Sequence, residues 1–135
     1  MEPAAQVLTI YGVVSLAYGF VLGLPLSSVR MGAATAPRHL VTAHLAAIIQ
    51  GAVHLGLTAA VALATLPAGV EVLGALLLVG GSALFVSGAT LNWRQRVGDH
   101  FAARSVGWRL LALSAPPHLG GLAIFVVGVV RAVVP

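Results

Sequence analysis

The chain contains no cysteine and no lysine, and it has few charged side chains of either sign. Without cysteine it has no disulfide, no thiolate metal site and no cysteine nucleophile. Only 7% of its 135 residues are charged, whereas 59% are hydrophobic and the mean hydropathy is +1.04. A soluble domain carries about 25% charged residues. Because so few charges cannot cover a surface that faces water, the sequence predicts an integral membrane protein.

Four long apolar runs fill the chain, and each reaches the ~20 residues that a helix needs to cross the hydrocarbon core. None shows the alternation of polar and apolar residues typical of membrane strands. We therefore predict an all-α bundle of four transmembrane helices in a single membrane domain. The predicted helices cover about residues 7–26, 39–66, 70–92 and 108–134. Pro25 is expected to close the first helix, and Pro116-Pro117 to break the fourth in its first half.

Arginine supplies all of the basic charge, and it is distributed unevenly between the two ends of the predicted bundle. Six arginines lie in or beside the loops that follow the first and third helices: Arg30, Arg38, Arg94, Arg96, Arg104 and Arg109. The opposite end has only Arg131, together with Glu2 and Glu71. The positive-inside rule therefore places the Arg-rich loops in the cytoplasm and both termini outside. Membrane orientation thus explains the net charge of +4 without a nucleic-acid partner.

The loop after the third helix is expected to include a short interfacial turn over Val97–Arg104, carrying Asp99 and His100. Glycines on the first, third and fourth helices, such as Gly12, Gly81 and Gly121, predict close helix–helix contacts. Four short spans enclose little volume, so a site of any size is expected to need a subunit interface. We therefore predict an oligomer.

The second helix holds the polar residues that raise the question of function. Polar groups in hydrocarbon are costly, and they usually face an interior or a cavity. His39 is expected to anchor the helix at the membrane interface. Gln50 and His54 are four residues apart on one helical face, so they are expected to bond to each other.

His44 is the strongest candidate ligand, because a neutral imidazole is a common ligand of iron and zinc. Its small neighbours, such as Ala47 and Gly51, leave room for a flat group against the helix. No second ligand lies at metal spacing, which favours haem, since a porphyrin already supplies four nitrogens. His118 lies at a similar depth in the fourth helix, and a haem held by both histidines would suit electron transfer.

Two short segments resemble the styrene oxide isomerase family. They are Pro37-Arg-His-Leu-Val-Thr-Ala-His44-Leu, which enters the second helix, and Gly88-Ala-Thr-Leu-Asn92-Trp93, which closes the third. The resemblance extends from about Gly12 to Gly128. It implies a homotrimer in the bacterial inner membrane that holds ferric haem b near its subunit interfaces, with His44 as the axial ligand.

The resemblance also implies a reaction, the opening of a small apolar epoxide by the Lewis-acidic iron and a hydride shift that gives a carbonyl compound. Where the family has an asparagine that contacts the substrate oxygen, this chain has Gln50, which becomes the candidate catalytic residue. Where the family has a tyrosine in the third helix, this chain has Ser87-Gly-Ala-Thr90, and its only tyrosines are Tyr11 and Tyr18 in the first helix.

Two other classes of function remain open. One is a haem protein without this catalysis, such as an electron carrier or a sensor. The other is a membrane protein without a cofactor, either a transporter or an accessory subunit. Small four-span transporters usually couple protons through a carboxylate within a span. Here Glu2, Glu71 and Asp99 lie at helix ends or in a loop, which disfavours a proton-coupled transporter.

Overall fold

A computed structural model describes residues 1–98, 102 and 104–134, and no strand occurs among them. It contains four long helices: α1 (Pro3–Gly32), α2 (Arg38–Leu63), α3 (Ala68–Arg94) and α4 (Val106–Val133). All four are long and apolar enough to cross a membrane. The predicted architecture of a four-span, all-helical membrane protein is therefore confirmed.

The prolines expected to end or break helices lie inside them instead. Helix α1 continues past Pro25 to Gly32, and α4 runs through Pro116 and Pro117 without interruption. A proline removes one backbone donor, but in lipid an interrupted helix would leave more backbone groups without partners than a continuous one. Three prolines do mark helix starts: Pro3 is the first residue of α1, and Pro37 and Pro67 each lie directly before a helix. The first N–H groups of a helix lack helical partners in any case.

The helices form two hairpins, in which α1 packs mainly on α2 and α3 mainly on α4. Glycine allows the close approach within each hairpin. A Cβ atom added to Gly51 would lie 2.8 Å from the carbonyl oxygen of Gly12. One added to Gly88 would lie 2.7 Å from the carbonyl oxygen of Gly107. The predicted role of small residues in helix packing is thus confirmed.

The distribution of side chains is the reverse of that in a soluble protein. Large apolar side chains such as Phe20, Leu24 and Leu119 are more than two-thirds exposed. The buried positions include several small or polar residues, among them Ala47, Ser82 and Asn92. An outer surface of this kind is stable only in an apolar solvent, which agrees with a lipid bilayer.

The interior is layered along the bundle axis. One apolar cluster lies at the end that holds the N-terminus, and it includes Leu8, Leu78 and Phe125. A second cluster, which includes Leu40 and Ala89, lies at the arginine-rich end. Buried polar side chains separate the two clusters at mid-depth: Ser15, His54, Ser82 and Ser114. The site residues discussed below lie in this polar layer or on the arginine side of it.

Candidate functional site

His44 lies in the groove between α1 and α2, where it is half-buried. Its Nδ1 atom is 2.8 Å from the carbonyl oxygen of Gly19, on the neighbouring helix. Because a carbonyl only accepts, Nδ1 carries the proton and donates it, which leaves Nε2 with a lone pair. No hydrogen bond to Nε2 occurs in the described part of the chain. The groove therefore presents one fixed imidazole tautomer with an available nitrogen.

This arrangement fits an axial haem ligand. A metal-bound histidine usually donates its other ring N–H to a carbonyl or carboxylate, which fixes the ring and raises the basicity of the ligating nitrogen. The glycines of α1 make room for the ring. The position of a Cβ atom on Gly23 is 3.4 Å from Cε1 of His44, so even alanine there would touch the imidazole.

The small residues beside His44 have a different use from the one the sequence suggested. Gly51 packs against α1, where an added Cβ would lie 2.9 Å from the backbone nitrogen of Leu16. The carbonyl of Ala47 accepts a hydrogen bond of 2.9 Å from the hydroxyl of Ser15. The expectation that these residues leave room for a flat cofactor is therefore wrong, because helix α1 fills that space.

Three polar residues from three helices meet in the polar layer. The hydroxyl oxygen of Ser82 lies 2.9 Å from Nε2 of His118 and 3.5 Å from Nε2 of His54. The Nδ1 atoms of both rings point at carbonyls of their own helices, that of Gln50 at 2.6 Å and that of Ser114 at 3.0 Å. Both rings therefore carry their proton on Nδ1 when neutral, so both Nε2 atoms are acceptors. Ser82 has one hydroxyl proton, which it donates to His118 at the shorter distance, while His54 lies at the limit of hydrogen-bonding range.

An apolar cavity of about 240 Å³, open on its outer side, adjoins these residues. Gln50, His54, Ser82 and His118 supply its polar wall, and leucines of α2, α3 and α4 supply most of the rest. The ring of Tyr11 lies 4.8 Å from that of His54 and closes the cluster on the side of α1. The cavity is large enough for a small aromatic molecule, since a cavity of about 150 Å³ holds benzene.

Gln50 belongs to this cavity and not to the groove of His44. Six residues of helix separate the two side chains by about 9 Å along the axis and by about a third of a turn around it. The predicted bond between Gln50 and His54 forms through the backbone carbonyl of Gln50. The amide oxygen of Gln50 is buried and has no hydrogen-bond partner.

The structure does not bring His44 and His118 together. His44 is bonded to α1, whereas the ring of His118 lies over Gly81 of α3, with an added Cβ only 2.8 Å from its Cγ. Both nitrogens of His118 already have partners in the same chain. A haem held by these two histidines of one chain would have to break the bond to Ser82, so the geometry disfavours it.

A tyrosine of α1 occupies the region where the resemblance expects one from the third helix. The hydroxyl of Tyr18 lies 3.0 Å from the hydroxyl of Thr90. Both residues line a cavity of about 630 Å³ between α1 and α3, together with Ser87. The phenolic group is thus supplied across the helix interface, which the sequence could not show because Tyr18 and Thr90 are 72 positions apart.

The residues at the arginine-rich end are also better defined than the sequence allowed. His39, expected to be an interfacial anchor, is 6% exposed and therefore buried. Asn92 and Trp93 line a cavity of about 710 Å³ together with Arg38 and Arg96. The turn predicted over Val97–Arg104 falls largely on residues 99–101 and 103, which lie outside the described part of the chain.

Sequence reasoning missed Ser82 and gave no role to Asn92. The only local signal at Ser82 is a polar residue that follows Gly80-Gly81 in an apolar span. Its importance comes from the two histidines that other helices bring to it. Comparison with known proteins adds nothing to these assignments, because no protein-family model, curated protein or solved structure matches the chain.

Proposed function

We propose that the chain is a haem b-dependent membrane isomerase that converts a small apolar epoxide into a carbonyl compound, with Nε2 of His44 as the axial ligand. The observation that carries the proposal is the 2.8 Å contact between Nδ1 of His44 and the carbonyl oxygen of Gly19. It holds one ring tautomer and leaves the ligating nitrogen available. His118 lacks this property, because its Nε2 accepts from Ser82. His54 lacks it because its ring is buried among α2, α3 and Tyr11, with 2% of its surface exposed.

Ferric haem, when bound, supplies a Lewis-acidic iron with an open coordination position. The chain itself has to orient the epoxide, stabilise charge on its oxygen and exclude water. The reaction needs no nucleophile and no acid–base pair, which agrees with spans that contain no Asp, Cys or Lys. The apolar surroundings keep water from trapping the opened epoxide as a diol.

Two polar groups are candidates for contact with the epoxide oxygen. The amide of Gln50 has no partner for its buried oxygen and borders a cavity, so it is able to turn and present its N–H groups. The hydroxyl of Tyr18 borders the cavity beside Thr90. A donor aimed at the oxygen stabilises the negative charge that develops as the ring opens.

The proposal includes a homotrimer with its Arg-rich loops in the cytoplasm, in the inner membrane of a bacterium. Because His44 is only half-buried in the groove between α1 and α2, one chain would cover a porphyrin incompletely. Side chains beside His44 that face outward are apolar, such as Leu45 and Ile49. A neighbouring copy would therefore complete the cofactor site without burying any charge.

The test is the visible absorption spectrum of protein purified from haem-replete cells. Wild type is expected to show a Soret band, and His44→Gly is expected to lose it. Free imidazole added with haem to His44→Gly should restore the band, because it replaces the missing ligand in the same groove. His118→Ala is the matched control, since it removes a histidine from the paired hairpin and should keep the band.

Each alternative class predicts a different spectrum. Low-spin bands that require both His44 and His118 would favour an electron carrier. The absence of a Soret band from wild type would contradict the proposal and favour a membrane protein without a cofactor. Once haem is established, styrene oxide that carries deuterium on its CH2 carbon, from which the hydride migrates, tests the reaction. A hydride shift retains the label in the aldehyde, and Tyr18→Phe should lower turnover without loss of the Soret band.

A further inference from the structure

The largest cavity described above lies at the arginine-rich end, where α2 begins and α3 ends. It has a volume of about 710 Å³. Three arginines line it, Arg38, Arg94 and Arg96, and Asn92 and Trp93 form part of its wall. The isomerase proposed above makes no use of this cavity. The residues that line the cavity indicate a ligand of a different kind.

Asn92 provides the first evidence for a ligand in this cavity. It is fully buried, at 0% exposure, and its Oδ1 atom accepts a hydrogen bond of 2.6 Å from the hydroxyl of Ser105. Its Nδ2 atom is buried and has no hydrogen-bond partner. A buried N–H group without an acceptor is costly, and such groups are rare in native proteins. The amide nitrogen therefore indicates a ligand that brings an acceptor atom.

The arginines of the cavity provide the second piece of evidence, which concerns the charge of the ligand. In the part of the chain that the structure describes, no ion pair joins Arg38, Arg94 or Arg96 to an acidic residue. The sequence has three acidic residues, of which Glu2 and Glu71 precede or begin α1 and α3 at the opposite end. Asp99 alone belongs to the arginine-rich end, against six arginines. The ligand is therefore expected to be an anion, and guanidinium groups suit phosphate oxygens in particular.

A second cavity shows what else the ligand carries. It has a volume of about 460 Å³ and shares Arg38 and His39 with the first. From there it continues between α2 and α4, which contact each other only loosely. Its deeper wall is mostly apolar, with Phe85, Trp108 and Leu111. A charged chamber and an apolar groove thus lie side by side, with Arg38 and His39 in the wall of both.

We propose that these two cavities bind one anionic phospholipid. Its phosphate accepts hydrogen bonds from Nδ2 of Asn92 and from the arginines, and one acyl chain follows the groove between α2 and α4. Free phosphate would bind to the arginines of the first cavity but would leave the apolar groove of the second without a ligand. A zwitterionic lipid would bring a cationic group close to the arginines. Basic pockets between helices on the cytoplasmic side are the usual binding sites of anionic headgroups.

The experiment uses the full chain in nanodiscs of phosphatidylcholine with a minority of phosphatidylglycerol. Native mass spectrometry then measures the two lipids that remain bound after the disc is removed. Wild type is expected to retain phosphatidylglycerol about tenfold above its share in the disc, from charge-assisted hydrogen bonds to the phosphate. Arg38→Gln/Arg96→Gln and, separately, Asn92→Asp are expected to remove that enrichment. Asn92→Asp keeps the oxygen that Ser105 donates to, and it replaces the amide nitrogen with a carboxylate oxygen that cannot donate and that repels the phosphate.

The matched control is Arg30→Gln/Arg109→Gln, which removes the same charge from the same end but from outside the cavity. It should keep the enrichment. An equal loss in the control would overturn the proposal in favour of diffuse surface charge.

Inorganic phosphate added to pure phosphatidylcholine discs tests the other source of the anion. If it raises the unfolding midpoint of wild type as much as phosphatidylglycerol does, the ligand is a free anion and the lipid proposal fails. Neither result depends on whether the chain binds haem.

Discussion

The two helical hairpins are built in the same way, yet they treat their histidines differently. In the first hairpin, His44 of α2 lies against Gly19 of α1, and in the second, His118 of α4 lies against Gly81 of α3. His118 has a partner for each ring nitrogen, whereas His44 has a partner only for Nδ1 in the described part of the chain. A histidine with both nitrogens bonded is part of the packing, and one with an available nitrogen is a candidate ligand.

The difference arises from a single side chain. Ser82 follows Gly81 on α3 and reaches Nε2 of His118. The residue after Gly19 on α1 is Phe20, which faces outward and is 69% exposed. The first hairpin therefore lacks a donor for its histidine. Both hairpins thus place a histidine beside a glycine of the neighbouring helix, but only in the first does one ring nitrogen stay without a partner among the described residues.

The largest effect on function is expected from Gln50→Leu, which tests whether the cavity between the two hairpins takes part in the chemistry. Loss of a donor to a developing oxyanion typically lowers turnover by about 100-fold. Epoxide turnover should fall by that order, while the Soret band of the purified variant stays. Unchanged turnover would confine the reaction to the groove of His44. Leu57→Val, a nearby change in the same apolar wall, controls for altered packing.

Gly81→Ala should show that the second hairpin is the structural one. Its new Cβ would lie 2.9 Å from the carbonyl oxygen of Ser114 and 2.8 Å from the ring of His118, so backbone has to move. We expect a loss of about 2 kcal/mol in the free energy of unfolding, from overpacking. Reversible unfolding in mixed detergent micelles measures it. Gly56→Ala, which would meet nothing within 4 Å, should be neutral or slightly stabilising, because alanine favours helix.

Ser82→Ala removes the hydroxyl that donates to His118 in the polar layer. It leaves Nε2 of His118 without a donor in a buried site, which should cost about 1–2 kcal/mol. The Soret band attributed to His44 should not change. A change in that band would mean that the two hairpins share one site, and the comparison between them would fail. Ser87→Ala, at an exposed position on the same helix, is the control.

The smallest effect is expected from Gly19→Ala in the first hairpin. The added Cβ would lie 2.7 Å from Cδ1 and 2.8 Å from Cγ1 of the Ile48 side chain, and 3.2 Å from the backbone nitrogen of Ile48. Because the two closest atoms belong to a side chain and the backbone has to move only slightly, the loss of unfolding free energy should stay below about 1 kcal/mol. The test compares the unfolding free energies of Gly19→Ala and Gly81→Ala under identical conditions. A loss equal to that of Gly81→Ala would show that both hairpins are packed with the same rigidity.

Several features of the site were predictable from local sequence, and others were not. His44 was recognisable because a histidine among small apolar residues is conspicuous in a span. The bond from His54 to Gln50 was predictable from their spacing, although it uses the backbone. The small residues near His44 were misinterpreted, because the sequence does not say which face of α2 meets α1. Pro25, Pro116 and Pro117 were misread as helix breaks, since propensities measured in water lose weight in lipid.

The sequence by itself determined that this chain crosses a membrane four times and that its arginines gather at one end. Both properties are sums over neighbouring residues, because hydropathy and loop charge depend only on what lies within about 20 positions. Only the tertiary structure decided which polar groups find partners. Ser82 meets His118 across 36 positions, and Tyr18 meets Thr90 across 72. Such pairs depend on the rotation and depth of each helix, which close packing at the glycines sets.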